Sequence, residues 1–156
     1  MSGMDFEIKT LPAMRLATVP HTGPYHEIGP AFGKLGSIAG PAGLFAQPGA
    51  MMLGIYKDDP TKTPAAQLRS AACVVIPDGA AMPAGLVEDR IDGGTYASLV
   101  HVGPYEGLPG AWMKMRDALG GAGTVRRQAP ACEIYWNDPS RVKPEELKTE
   151  ICVPVE

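Results

Sequence analysis

The sequence has little of several features that would assign a function directly. Only 3 of its 156 residues are cysteines, and Cys73, Cys132 and Cys152 are widely spaced with no CxxC pair. This spacing fits neither a disulfide framework nor a zinc site, and the apolar neighbours of the cysteines favour core positions in a reducing compartment. No P-loop, GxGxxG, HExxH or GxSxG motif occurs, so we expect no cofactor and no metal.

Excess basic charge and long apolar runs are also lacking. Lys and Arg total 14 against 17 Asp and Glu, which gives a net charge of -3. Because affinity for phosphates depends on clustered basic residues, we expect no direct nucleic-acid binding. No stretch approaches about 18 uninterrupted apolar residues, and the first residues lack the pattern of a signal peptide. The sequence therefore predicts a cytoplasmic protein that does not contact the membrane.

Glycine and proline, by contrast, are plentiful, with 19 and 16 residues. Much of this excess belongs to an internal repeat. ATVPHTGPYHEIGPAFGKL (17–35) matches ASLVHVGPYEGLPGAWMKM (97–115), and IYKDDPTKTPAAQLRSAACV (55–74) matches IYWNDPSRVKPEELKTEICV (134–153). Both blocks occur in the same order in each half, which indicates duplication of a unit of about 80 residues. We predict a single domain over residues 1–156 made of two pseudo-twofold repeats, about 5–77 and 85–155.

Each repeat shows the same change of hydrophobic periodicity. It opens with alternating residues interrupted by Pro12 or by Gly93-Gly94, which predicts a long strand with a bend. After Gly-Pro-Tyr, apolar residues follow helical spacing, with Phe32 in the first repeat and Trp112 in the second. Two short apolar runs complete each repeat. The order strand, helix, strand, strand in both repeats predicts an α+β fold, and we expect the two repeats to pack side by side around a pseudo-twofold axis.

The two repeats differ most clearly at one strand position. Glu133 in Cys-Glu-Ile-Tyr corresponds to Gly54 in Leu-Gly-Ile-Tyr. Alternation places Glu133 on the same face as Tyr135, and a carboxylate among apolar residues is costly unless it is paired or faces a cleft. Two interpretations stay open: Glu133 binds a ligand, or it lies at a sheet edge and pairs with a surface Lys or Arg.

Other duplicated residues have structural as well as functional interpretations. His21 and His101 lack further ligands at metal spacing, so we expect them to make local hydrogen bonds at the corner between strand and helix. The duplication of Tyr25 and Tyr105 argues first for packing at that corner. Trp112 fits the helix stripe and is either a core residue or exposed to a cleft.

Three motifs together resemble one known family. They are His-x-Gly-Pro-Tyr after an Ala-rich strand, Gly-Gly-Thr-Tyr-Ala opening the second repeat, and Glu-Ile-Tyr-x-Asn-Asp-Pro near the C-terminus. The sequence resembles the GyrI-like small-molecule-binding domain from about Phe6 to Val155. That domain also forms the effector-binding half of some AraC-type and MerR-type regulators. The resemblance implies a duplicated strand-helix-strand-strand module, an antiparallel sheet with two helices on one side, and a central cleft.

The resemblance also implies a binding site. In the family, a buried glutamate on the penultimate strand anchors lipophilic cations, and Glu133 has the matching position. Aromatic and soft side chains would surround the ligand. By position these are Trp112, Tyr96, Tyr56, Tyr135, Tyr105, Tyr25, Met52 and Phe32.

Three functions follow from these observations as hypotheses. The first is a stand-alone binding protein for small lipophilic, often cationic compounds. The second is a hydrolase of reactive, strained molecules of the cyclopropanoid type, with Glu133 as general base and Tyr96 or Tyr135 as its partner. The third is inhibition of DNA gyrase by protein contact. A small molecule is the expected partner, and a regulator or gyrase is the candidate protein partner.

Overall fold

The computed structural model describes residues 6–156, which form two compact units. We call Pro12–Gly93 the Gly54 unit. The Glu133 unit joins the N-terminal segment through Leu11 to Gly94–Glu156. Each unit contains four antiparallel strands and one α-helix, which confirms the predicted α+β fold and its antiparallel pairing.

In the Gly54 unit the strands follow the order β3-β4-β2-β5. Their bounds are β2 Met14–Thr22, β3 Met52–Tyr56, β4 Arg69–Ile76 and β5 Val87–Ile91, and helix α1 spans Gly29–Ala39. The helix lays Leu35 and Ala39 on Ala17 and Val74, and all four side chains are buried. Pro30 lies in the first turn of α1, where its missing N–H costs no helix hydrogen bond.

In the Glu133 unit the order is β1-β6-β8-β7. The bounds are β1 Glu7–Leu11, β6 Gly94–Val102, β7 Ala131–Tyr135 and β8 Lys148–Pro154, and helix α2 spans Leu108–Gly121. Met115 and Leu119 of α2 pack on Leu99 and Ile151 of the sheet. Burying these side chains removes apolar surface from water, which stabilises the unit at roughly 25 cal/mol per Å².

The compact units do not coincide with the sequence repeats. The opening strand of each repeat pairs in the unit formed by the other repeat: β1 pairs with β6, and β5 pairs with β2. The sequence predicts one long bent strand at each of these places. In the structure the break separates two strands, because Pro12 has no N–H for a ladder and Gly93 and Gly94 adopt φ values of 83° and 115° that redirect the chain.

None of the helices within residues 6–156 is both long enough and apolar enough to cross a membrane. Cys73, Cys132 and Cys152 are buried free thiols. Burial raises the pKa of Cys73 and leaves its thiol protonated, which agrees with a core role.

Candidate functional site

Glu133 lies beneath helix α2 of the Glu133 unit. In the antiparallel register it is opposite Ile151, which is itself opposite Leu99, so the three side chains share the sheet face that α2 covers. Glu133 is only 6% exposed. The alternation of β7 thus turns this carboxylate toward the helix.

Both carboxylate oxygens of Glu133 accept hydrogen bonds from aromatic side chains. The Trp112 indole Nε1 on α2 donates to Oε2 at 2.5 Å, and the Tyr135 hydroxyl donates to Oε1 at 2.6 Å. Hydrogen bonds to a charged acceptor are short and strong, and here they fix the position of a carboxylate removed from water. Of the predicted partners, the structure therefore brings Trp112 and Tyr135 to Glu133.

Tyr105 extends this aromatic cluster. Its ring packs edge-on against Tyr135, with centroids 5.9 Å apart and an interplanar angle of 68°. Burial raises the pKa of Tyr105, and the nearby charges of Asp138 and Glu133 raise it further. The hydroxyl therefore stays protonated at neutral pH.

The Gly54 unit repeats the ring pair without the carboxylate. Tyr25 and Tyr56 also pack edge-on, with centroids 4.9 Å apart. Gly54 stands in place of Glu133, and Phe32 stands in place of Trp112. Phe32 and Met52 pack, partly buried, against the core beneath α1. Only the Glu133 unit therefore combines a carboxylate with an indole donor.

Tyr96 is placed differently from the prediction. It lies opposite Pro154 in the β6–β8 register, so its side chain points to the sheet face away from Glu133. It is 1% exposed, and the Arg127 guanidinium lies 5.1 Å from the centre of its ring. Tyr96 is thus a buried residue of the opposite face, and the tyrosine that meets Glu133 is Tyr135.

The paired histidines make the expected local hydrogen bonds. His21 Nε2 lies 3.1 Å from the Pro24 carbonyl, and His101 Nε2 lies 3.0 Å from the Pro104 carbonyl. No group of three or more His, Cys, Asp or Glu within residues 6–156 is arranged to hold a metal ion.

Tyr25 and Tyr105 differ in what their hydroxyls do, which makes them a matched pair for mutation. The Tyr25 hydroxyl donates to the Asp58 carbonyl at 2.6 Å and accepts from the Asp58 N–H at 3.0 Å. We expect Tyr25→Phe to lower the free energy of unfolding by about 1–2 kcal/mol, because it leaves both backbone groups without that partner. Tyr105→Phe should change it by less than about 0.5 kcal/mol. Urea unfolding measures both, and equal losses would contradict the assignment.

The whole described chain matches a known family, and solved structures with similar folds are known. The family model for the GyrI-like small molecule binding domain covers residues 4–156. A DNA gyrase inhibitor of Klebsiella pneumoniae (strain 342) is 33% identical over 96 residues, which span 58% of this chain and 60% of that protein.

The similar folds share little sequence with this chain. The structure of SAV2435 bound to tetraphenylphosphonium has a TM-score of 0.74 at 16% identity, and the match covers 98% of this chain and 94% of that one. A hydrolase from Listeria innocua has a TM-score of 0.67 at 17% identity, covering 97% and 92%. The family match extends through both units and includes Glu133 and its aromatic neighbours. This chain belongs to the GyrI-like small-molecule-binding domain family.

Proposed function

We propose that this protein binds small lipophilic cations and that Glu133 is the residue that recognises their charge. The observation that carries the proposal is a carboxylate, 6% exposed, whose two oxygens are held by Trp112 and Tyr135. A buried carboxylate attracts a delocalised cation more strongly than an exposed one does, because little water screens the interaction. Such a cation also loses less hydration on entering than an ammonium ion does.

The aromatic cluster supplies the apolar part of the proposed site. Trp112, Tyr135 and Tyr105 offer ring surface beside the carboxylate, and each cation–π contact contributes about 0.5–2 kcal/mol. Tyr25, Tyr56, Phe32 and Met52 of the Gly54 unit stay predicted ligand contacts on the strength of the family resemblance. The tetraphenylphosphonium complex of SAV2435 supports the choice of ligand class, since that protein has a similar fold.

A pair of probes with opposite charge tests the proposal. Tetraphenylphosphonium and tetraphenylborate have nearly the same shape and four phenyl rings each, but the first is a cation and the second an anion. We expect the cation to bind saturably in isothermal titration calorimetry and the anion to bind at least about 30-fold more weakly, because a buried carboxylate repels it. Equal affinity for both ions would overturn the proposal.

A second function, hydrolysis of strained electrophiles, is favoured by the Tyr135–Glu133 hydrogen bond at 2.6 Å. Glu133 would take a proton from water as the water oxygen bonds to a cyclopropane carbon. The ring C–C bond would break, and its electron pair would take a proton from a tyrosine hydroxyl. The tyrosinate would then recover the proton held by Glu133.

Incubation with a cyclopropane-bearing electrophile should yield the product of water addition, detected by mass spectrometry, and Glu133→Gln should abolish it. No turnover above buffer would reject this function.

The gyrase inhibitor relative supports a third hypothesis, direct contact with DNA gyrase. A supercoiling assay with purified protein tests it, and unchanged supercoiling at excess protein would reject it.

A further inference from the structure

The sheet of the Glu133 unit has a cavity on the face turned away from α2. Its volume is about 530 Å³, and its lining includes Val100, Trp136, Lys148 and the buried Glu150. Val100 is opposite Glu150 in the β6–β8 register, whereas Glu133 shares its face with Ile151. Successive side chains of a strand point to opposite faces, so Glu133 does not line this groove. Phe6 and Leu99, which belong to the core beneath α2, also line it.

Trp136 gives the groove a fixed aromatic wall. Its side chain is 48% exposed, although its indole Nε1 donates to Glu150 Oε1 at 2.9 Å. Val100, also exposed, adds apolar surface beside it. Because the hydrogen bond already orients the indole, a flat ring that stacks on Trp136 would lose little side-chain entropy of the protein on binding.

At the buried end of the groove, the charge of Glu150 is already compensated within the protein. Glu150 is 3% exposed, and Lys9 Nζ lies 2.6 Å from its Oε2, which also accepts from the Ser98 hydroxyl. Three donors, counting Trp136, thus serve this carboxylate, and it has no need of a ligand cation.

The open end of the groove carries the positive charge of Lys148. Comparison with the equivalent position of the Gly54 unit explains why this charge is not compensated. In the Gly54 unit, Arg69 makes hydrogen bonds through Nε and Nη2 to the Asp58 carboxylate at 3.0 and 2.9 Å. The equivalent residues of the Glu133 unit are Lys148 and Asn137. Asn137 Oδ1 still accepts from the Lys148 backbone N–H at 2.9 Å, but its amide carries no charge. Within residues 6–156 the Lys148 ammonium makes no ion pair.

From this arrangement we propose that the groove binds small planar aromatic carboxylates, with the ring on Trp136 and Val100 and the carboxylate at Lys148. The exposed carboxylate of Glu7 lies on β1 at the other side of the groove, opposite Ser98. Its charge directs the ligand anion to the Lys148 side. The Glu133 unit then has two sites with opposite charge preference, one on each face of its sheet, and the second does not depend on the function proposed for Glu133.

The two tryptophans of the chain give each site its own reporter. Trp112 belongs to the Glu133 cluster and Trp136 to the groove, and the sequence has no other tryptophan. In ¹⁵N-labelled protein the two indole N–H resonances, assigned with Trp112→Phe and Trp136→Phe, therefore report the two sites separately. We expect naphthoate to shift the Trp136 resonance saturably and to leave that of Trp112 in place. Naphthylmethylammonium and naphthylmethanol should bind the groove more weakly than naphthoate.

Charge variants test the role of Lys148. Lys148→Gln should weaken naphthoate binding about two- to five-fold, the usual range for an exposed charge pair, and added salt should weaken binding to the unmutated protein. Asn137→Asp restores the carboxylate present in the Gly54 unit and should weaken binding similarly. Arg69→Gln is the matched control and should change nothing. The proposal is overturned if naphthoate shifts the Trp112 resonance instead, if the ammonium compound binds equally well, or if Lys148→Gln and Asn137→Asp leave the affinity unchanged.

Discussion

Glu133→Gln should weaken tetraphenylphosphonium binding about 30- to 100-fold while the protein stays folded. The substitution keeps the size of the side chain and an oxygen that can accept from Trp112 or Tyr135, but it removes the negative charge. Loss of one member of a buried charge pair costs about 2–5 kcal/mol, and the lower end of that range corresponds to this change in affinity. Isothermal titration calorimetry measures the affinity, and thermal unfolding shows whether the fold is retained.

Two control variants separate charge from packing. Trp112→Phe introduces the residue that the Gly54 unit has at this position, so it keeps one aromatic ring but removes the N–H donor to Glu133 and part of the ring surface. It should keep most of the affinity. Lys148→Gln changes charge on the opposite sheet face and should leave tetraphenylphosphonium binding unchanged. If Glu133→Gln and the unmutated protein bind the cation equally well, Glu133 does not recognise charge.

Lys9→Met should lower the free energy of unfolding by about 1–3 kcal/mol at neutral pH, because it leaves the buried Glu150 carboxylate without its cation. The lysine side chain is 36% exposed, so we expect less than the loss typical of a fully buried pair. Urea unfolding measures the effect. In the double variant Lys9→Met with Glu150→Gln, most of the stability should return, since no unpaired charge remains.

The ion pair between Lys9 and Glu150 also predicts how the stability of the protein depends on pH. Burial by itself would raise the pKa of Glu150, but hydrogen bonds from Lys9, Ser98 and Trp136 outweigh burial and hold the pKa below its ordinary value of 4.5. A lowered pKa in the folded state stabilises the protein above pH 4.5, and this stabilisation is lost as the pH falls through the folded value. Lys9→Met should lose less stability than the unmutated protein between pH 7 and pH 3. A steeper loss in the variant would contradict the ion pair.

Local patterns in the sequence were sufficient to predict part of the candidate site. Alternation in β7 correctly places Glu133 and Tyr135 on one face, and the helical stripe correctly puts Trp112 on the same helix side as Met115. The side to which Tyr96 points depends on the register of β6 against β8, and a shift of one residue would reverse it. A sequence without its pairing partners does not determine that register.

Long-range pairing accounts for the other features that the sequence left open. Lys9 and Glu150 are 141 positions apart, so no local pattern connects them. Alternation in Lys-Thr-Glu-Ile-Cys-Val does place Glu150 and Ile151 on opposite faces of the strand. Local sequence patterns also do not reveal that β1 and β5 each pair in the unit formed by the other repeat. Each strand has the same alternating pattern whether it pairs within its own repeat or within the other unit.

The strand exchange also sets the order in which the chain can complete its sheets during synthesis. Every strand of the Gly54 unit is available once Gly93 has left the ribosome, because that unit is one continuous segment. Strand β1 is made first, yet Glu7 pairs with Ser98 and Leu11 with Gly94, so β1 has no native partner until β6 follows. The sheet that carries Glu133 is thus complete only when β8, the last strand to be made, pairs with β6. Strand β6 in turn pairs with β1, the first strand to be made.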